Sequence, residues 1–147
     1  MNLAHVGVIV PNLEAGRDHL TELLGVEWGL VSEAIVPAGG GEGGQVTLRV
    51  CFSTGAPGIE LIEEVPGTVW ACNEHSNLHH ISFFVDDLVD ESSHLSAALC
   101  PLEHAIVTEE GPPILAYHRD GMGVRIELVS SAVRSKIEQH QRPGGVG

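Results

Sequence analysis

Two histidines and two glutamates are the side chains best suited to chemistry in this sequence, and they occur at matched positions. His5 and His80 open two similar segments that align without a gap at an offset of 75 residues. Glu60 and Glu127 stand in two Ile-Glu-Leu triplets at an offset of 67 residues. Imidazole and carboxylate together suit a divalent transition metal such as Zn, Ni, Co, Mn or Fe better than Ca or Mg. The pattern therefore predicts a metal site with two ligands of each kind.

Each of these residues, taken alone, has a simpler interpretation. A single histidine is more often a packed core residue or a surface residue than a ligand, and a glutamate in a strand can face solvent or pair with a neighbouring arginine. Both glutamates are nevertheless flanked by Ile and Leu, and burying an unpaired carboxylate is costly. Because the same His and the same Glu occur twice, a pseudo-twofold axis would bring all four together. A shared metal is then the favoured hypothesis.

The repeat also predicts the elements that must position these side chains. Two short apolar runs, residues 3–10 and 79–85, have the composition of strands, and an amphipathic helix follows each of them. Asn12 and Asp87 are predicted to cap the N-termini of these helices, and Gly25 to end the first one. The remaining strands are predicted at residues 28–36, 45–53, 58–64, 105–109, 113–119 and 123–129.

This order gives each half the pattern βαβββ within a single domain that spans residues 1–147. The first module covers about residues 3–68 and the second about 76–130, and residues 131–147 are predicted to form a short helix and a frayed tail. The first half is the longer one, and the glycine-rich stretch at 39–44 is the predicted place of its extra length.

Charge and composition exclude several classes of protein. The chain has 7 lysines and arginines against 20 aspartates and glutamates, which gives a net charge of −13. Such a chain is not expected to bind nucleic acid. No apolar run reaches the roughly 18–20 residues of a membrane span, so no membrane association is expected. Three cysteines without a CxxC pair favour reduced thiols in a cytoplasmic protein.

Four short motifs follow one another along the chain: HVGVIV at 5–10, GIELIE at 58–63, LHHIS at 78–82 and VRIEL at 124–128. Together they resemble the motifs of the vicinal oxygen chelate superfamily, which includes glyoxalase I, methylmalonyl-CoA epimerase, extradiol dioxygenases and bleomycin-resistance proteins. The resemblance spans about residues 3–130, nearly the whole chain.

The resemblance implies an α+β fold in which duplicated βαβββ modules form a curled mixed sheet around a metal cleft. It implies that one divalent metal ion binds to His5, Glu60, His80 and Glu127, and that the protein is a homodimer. Whether the two modules close the site within one chain or across the dimer stays open.

Glyoxalase I and methylmalonyl-CoA epimerase share this four-ligand pattern, which implies a metal-dependent isomerase, epimerase or lyase. In such enzymes the metal stabilises an enolate while a carboxylate moves the proton next to a carbonyl. Glu127 is the predicted base and Glu60 the opposing acid or base, although the symmetry of the set does not rank them firmly. The scarcity of basic residues favours a small, weakly charged carbonyl compound over glutathione or coenzyme A thioesters.

Two other subfamilies remain for comparison. Extradiol dioxygenases use three iron ligands and have no need of Glu60, so that interpretation is disfavoured. Bleomycin-resistance proteins bind cationic drugs in an acidic groove, which the charge of −13 fits. A non-catalytic small-molecule binding or drug-resistance protein is therefore the alternative.

Strand alternation predicts which side chains line the pocket and which histidines do not. His79 is predicted to project away from His80 and to serve packing or contact solvent, and His19 and His94 to lie partly exposed on helices. No role is assigned to the other histidines. The predicted pocket residues are Ile9, Ile62, Ser82, Phe84, Tyr117 and Arg125.

Overall fold

A computed structural model describes residues 1–39, 43–55, 58–109 and 111–143. Within these ranges the chain forms eight strands and three α-helices. They are β1 (Asn2–Val10), α1 (Leu13–Leu24), β2 (Ser32–Pro37), β3 (Gln45–Phe52), β4 (Ile59–Glu63), β5 (Leu78–Val85), α2 (Leu88–Ala97), β6 (Leu102–Val107), β7 (Pro113–Arg119), β8 (Arg125–Ser130) and α3 (Arg134–His140). Half of the glycine-rich stretch (residues 40–42) and the end of the predicted tail (residues 144–147) lie outside the described ranges.

The chain divides into two compact units, each of which contains one set of strands. Unit I consists of Met1–His5 and His80–Lys136, and unit II of Val6–His79 together with residues from Ile137 onwards. In unit I, β5 pairs in parallel with β8, and β8, β7 and β6 follow as antiparallel neighbours. In unit II, β1 pairs in parallel with β4, and β4, β3 and β2 follow in the same way. The duplicated βαβββ modules of a mixed α+β fold are thus confirmed.

In each unit the helix packs on the apolar face of its own strands. Leu13 of α1 and Leu61 of β4 are fully buried in one core cluster of unit II, and Leu88 of α2 and Leu128 of β8 are buried together in unit I. A buried leucine side chain contributes about 1.5–3 kcal/mol. Since neighbouring side chains of a strand alternate between its faces, the glutamate that precedes each of these strand leucines points away from the helix.

The predicted helix ends are confirmed. The Asn12 side chain accepts a hydrogen bond of 2.8 Å from the backbone N–H of Ala15, and Asp87 accepts one of 2.9 Å from Asp90. Gly25 closes α1 in the left-handed conformation with φ of 68°, which costs other residues more than it costs glycine. These caps satisfy backbone groups that a helix end otherwise leaves without partners.

Two strands begin at residues other than those predicted. β2 begins at Ser32 instead of residue 28, because the indole N–H of Trp28 donates to Thr21 of α1 and the residue makes only a single bridge to Ser53. β6 begins at Leu102 and ends at Val107 rather than spanning 105–109, since Leu102 already pairs with His118. The other predicted strands match the observed ones to within two residues.

The cysteines are free thiols in the described part of the chain. Cys51 and Cys100 are buried and Cys72 is half-buried. Burial raises the pKa of the Cys51 thiol to about 11, so this side chain stays protonated at neutral pH and serves as packing. None of the helices in the described ranges has the length and apolar character needed to span a membrane.

Candidate metal centre

Three of the four predicted ligands meet inside unit I. The Nε2 atoms of His5 and His80 are 3.1 Å apart, and Oε2 of Glu127 lies 3.2 Å from the first and 3.4 Å from the second. The three residues are 3%, 1% and 2% exposed, respectively. Two imidazole nitrogens and one carboxylate oxygen therefore form a nearly equilateral triangle that is closed to solvent.

The size of this triangle fits a shared cation. Nitrogen and oxygen ligands lie about 2.0–2.2 Å from a transition metal, which places neighbouring ligands of one ion roughly 2.8–3.6 Å apart between octahedral and tetrahedral geometry. All three observed separations fall in that interval. Two histidines and one carboxylate are also a donor set that divalent iron, zinc and related metals accept.

The pairing of β5 with β8 explains how the chain brings His80 and Glu127 together. Ser82 is directly opposite Glu127 in the parallel register, and His80 lies two residues earlier, so its side chain shares the face of Ser82. On the other side of β8, Tyr117 of β7 is directly opposite Glu127. Glu127 is thus held in the middle of three strands, with a hydroxyl-bearing residue on either side.

The two imidazoles determine the charge state of this carboxylate. Burial raises the pKa of Glu127, but His80 and His5 favour its ionised form through charge and hydrogen bonds and lower the pKa well below the usual range. A buried carboxylate that stays ionised needs a positive partner. The site supplies one when a histidine is protonated or when a cation is bound.

Aromatic and charged side chains surround the triangle within unit I. The ring of Tyr117 lies 5.4 Å from that of His80, and the ring of His104 is stacked with it at 6.5 Å. Arg125 is buried and forms a two-pronged ion pair with Glu103, at 2.6 Å and 2.9 Å. The predicted pocket residue Arg125 therefore has its charge neutralised by a partner that the sequence did not indicate.

Ser82 is the pocket residue whose polar group is least satisfied. It is 0% exposed, and its Oγ atom makes no hydrogen bond to any residue in the described ranges. A buried hydroxyl without a partner costs about 1–3 kcal/mol. Phe84, the next residue on this face of β5, is also buried, and the guanidinium of Arg134 lies 5.1 Å from its ring centre.

The fourth predicted ligand, Glu60, belongs to unit II. It is buried on β4, and Gly7 of β1 is directly opposite it. The predicted pocket residues Ile9 and Ile62 are likewise buried in this unit, at 2% and 1% exposure. In each βαβββ module, then, the glutamate is paired with the residue two positions after the histidine: Gly7 follows His5, and Ser82 follows His80.

The remaining histidines have other environments. His79 is buried, and its Nε2 donates a hydrogen bond of 2.7 Å to the carbonyl of Val69, as its predicted packing role requires. His19 and His94 are exposed on their helices. His118 was given no role from the sequence, yet it is fully buried and bonded at both ring nitrogens.

Comparison with solved structures shows the same fold in methylmalonyl-CoA epimerases. One such epimerase in complex with methylmalonyl-CoA matches with a TM-score of 0.63 and 17% identity over 89% of this chain and 94% of its own. A Streptomyces coelicolor epimerase variant in complex with 2-nitronate-propionyl-CoA matches with 0.64 and 17% over 90% and 95%. The Mycobacterium tuberculosis epimerase matches with 0.57 and 20% over 88% and 87%.

The family comparison covers most of the sequence. No curated protein matches the chain. Residues 4–105, however, match the family model described as the glyoxalase/bleomycin resistance protein/dioxygenase superfamily. This range includes both histidines of the triangle and all but the first residue of the first module. The chain belongs to the glyoxalase/bleomycin resistance protein/dioxygenase superfamily, that is, to the vicinal oxygen chelate proteins.

Proposed function

We propose that this protein is a metal-dependent isomerase, epimerase or lyase that moves a proton on the carbon next to a carbonyl group. The observation that carries the proposal is the buried triangle of His5, His80 and Glu127, with ligand atoms 3.1–3.4 Å apart. A surface or packing role does not account for three such groups in one buried place. The epimerase fold of the structural neighbours is consistent with this class of reaction.

Each residue of the site has its own proposed role. His5, His80 and Glu127 would hold a divalent ion. Glu127 is also the proposed proton acceptor, because its lowered pKa is that of an ionised carboxylate at neutral pH. A bound divalent cation would supply Lewis acidity to a carbonyl oxygen as negative charge develops there. The free hydroxyl of Ser82, beside Glu127, is placed to hydrogen-bond an oxygen of the substrate.

Glu60 is proposed as the fourth ligand and as the acid or base opposite Glu127. The support comes from the register, since Glu60 faces Gly7 on β1 as Glu127 faces Ser82 on β5. His5 precedes Gly7 by two residues as His80 precedes Ser82. A carboxylate on each side would allow one group to remove a proton and the other to return it.

A small, weakly charged carbonyl compound is the proposed substrate class. Binding several phosphate groups requires free basic side chains, and three of the seven basic residues are already paired with carboxylates. Arg125 and Arg119 both contact Glu103, and Arg49 contacts Glu14, Glu33 and Glu63. The apolar side chains of Ile9, Ile62 and Phe84, which are predicted pocket residues, suit the uncharged part of such a substrate.

The test is hydrogen exchange in deuterated water with a panel of enolisable carbonyl compounds. The protein loaded with Zn, Ni, Co or Mn should exchange the hydrogen next to the carbonyl, and chelation should abolish the exchange. Glu127→Gln should lower the rate by about 10²–10⁴-fold, the range of general-base catalysis, while keeping most of the metal. Glu22→Gln, an exposed change on α1, is the matched control.

Two results would contradict the proposal. One is wild-type exchange on an identified substrate in both Glu127→Gln and Glu60→Gln. The other is a purified protein that takes up no divalent metal. In either case the buried triangle has another purpose.

The net charge of −13 favours one second candidate, a drug-binding protein of the bleomycin-resistance type. Such a protein would bind a cationic ligand equally well after chelation, with an affinity that falls as salt rises. Titration calorimetry with and without chelator separates the two functions, because only the enzyme requires the metal.

A further inference from the structure

A serine and a histidine in unit I form a hydrogen-bonded pair that the proposed function does not use. Ser92 lies on α2 and His118 on β7, and the Ser92 Oγ atom is 2.8 Å from Nε2 of His118. The other ring nitrogen, Nδ1, is 2.8 Å from the carbonyl oxygen of Cys100. His118 is 0% exposed, whereas Ser92 is half-buried.

The carbonyl determines which nitrogen carries the hydrogen. A carbonyl oxygen can only accept, so Nδ1 of His118 must be the donor to Cys100. In the uncharged ring Nε2 then has a lone pair, and the hydroxyl of Ser92 donates to it. This is the order of groups that activates a serine nucleophile: an orienting acceptor, an imidazole and a hydroxyl.

A cavity of about 180 Å³ adjoins Ser92. Apart from Ser92 and its neighbour Ser93, its walls are apolar: Leu88, Val89, Leu102, Ala105, Pro113 and Ala116. This volume is below the ~300–1,000 Å³ typical of sites for larger ligands. It suits a short acyl chain of a few carbons.

The pair is separate from the candidate metal centre. Tyr117 and His118 are neighbours on β7, so their side chains project to opposite faces of the strand. Tyr117 contacts His80, whereas His118 contacts Ser92 of the helix on the other face. The effect of a substitution at Ser92 can therefore be measured without altering a proposed metal ligand.

We propose that Ser92 is a nucleophilic serine, activated by His118, that is acylated by short-chain esters. The Oγ atom forms a bond to the ester carbonyl carbon while its proton passes to Nε2 of His118. The bond from that carbon to the alcohol oxygen then breaks, and the alcohol leaves with the proton. Water then attacks the carbonyl carbon of the acyl-serine while its proton passes to Nε2 of His118. The bond from that carbon to Oγ of Ser92 breaks, Oγ takes the proton back, and a short-chain acid is released.

The test uses the full-length protein and p-nitrophenyl acetate. Release of p-nitrophenol is not diagnostic, because exposed histidines such as His19 and His94 can also react with this ester. The measurement is instead peptide mapping by mass spectrometry after short exposure, which locates the acetyl group on a named side chain. Ser93 is the matched control, since it lines the same cavity but its hydroxyl donates to the carbonyl of Val89.

We expect Ser92 to be acetylated at least about 100-fold faster than Ser93, the lower end of general-base activation. Unfolding in urea should remove the difference. His118→Gln should lower the acetylation rate of Ser92 to that of Ser93. Mapping of the folded wild-type protein decides the matter even if a His118 variant does not fold. Equal labelling of the two serines, or none on Ser92, would overturn the proposal and leave the pair as a tie between α2 and β7.

Discussion

At the scale of single residues, the two buried serines differ in whether a neighbour satisfies the hydroxyl. Ser53 accepts a hydrogen bond of 2.9 Å from the backbone N–H of Ile59, whereas Ser82 has no partner within the described ranges. Removing an unsatisfied buried hydroxyl is neutral or stabilising. Removing a bonded one leaves its partner without a hydrogen bond, which costs about 1–3 kcal/mol.

We therefore expect Ser82→Ala to leave the free energy of unfolding unchanged or higher, and Ser53→Ala to lower it by about 1–2 kcal/mol. Urea unfolding of the chelated proteins measures both values. In the metal-loaded protein, Ser82→Ala should weaken binding of a carbonyl ligand without releasing the metal. An equal loss of stability in the two variants would mean that Ser82 has a partner of its own.

The adjacent histidines His79 and His80 give a second prediction at this scale. His80→Ala removes a corner of the ligand triangle and should lower the metal content sharply. His79→Ala removes the bond to the carbonyl of Val69 but no corner of the triangle. It should keep the metal and lose about 1–2 kcal/mol of stability. Elemental analysis and thermal melting measure these outcomes, with the exposed His19→Ala as control. Equal metal loss in the two variants would contradict the assignment of ligands.

At the scale of elements, the caps of α1 and α2 make independent contributions to stability. Asn12→Ala and Asp87→Ala should each cost about 0.5–2 kcal/mol in urea unfolding, because each frees one backbone N–H of its helix. Asn12→Asp keeps the acceptor and should have little effect. If the alanine variants unfold like the wild type, the caps observed here do not limit stability.

The elements were predictable from the sequence wherever the pattern was local. Strand runs, helix stripes and caps depend on residues within a few positions of one another, and those predictions agree with the structure. The start of β2 was not predictable, because Trp28 is drawn onto α1 by hydrogen bonds to Arg17 and Thr21. Such a contact between elements leaves no periodic signal.

The site was predictable only in part, for a related reason. The repeat marked His5, Glu60, His80 and Glu127, since duplication places equal chemistry at equal positions. It did not mark Glu103, which pairs with Arg125 across 22 positions and occurs once. Nor did it mark His118, whose bonds to Ser92 and Cys100 depend on how α2 and β6 lie against β7.

At the scale of the whole molecule, the net charge of −13 acts against the compact state. Added salt shortens the Debye length from roughly 30 Å at 0.01 M to about 8 Å at 0.15 M, which screens this repulsion. It also weakens local pairs such as Arg49 with Glu33, but exposed pairs contribute at most about 1 kcal/mol. We expect Tm to rise by a few degrees over this range of NaCl, measured by calorimetry. A fall in Tm would mean that local ion pairs outweigh the overall repulsion.

The glycine and the serine that face the two matched glutamates have a consequence for the orientation of the substrate. Two identical halves would offer a substrate two equivalent orientations. The hydroxyl of Ser82, where the other half has only the hydrogen of Gly7, removes that equivalence. For the reaction proposed here, one orientation gains a hydrogen bond that the other lacks. A chain built from a repeat can in this way favour one of two substrate orientations through a single oxygen atom.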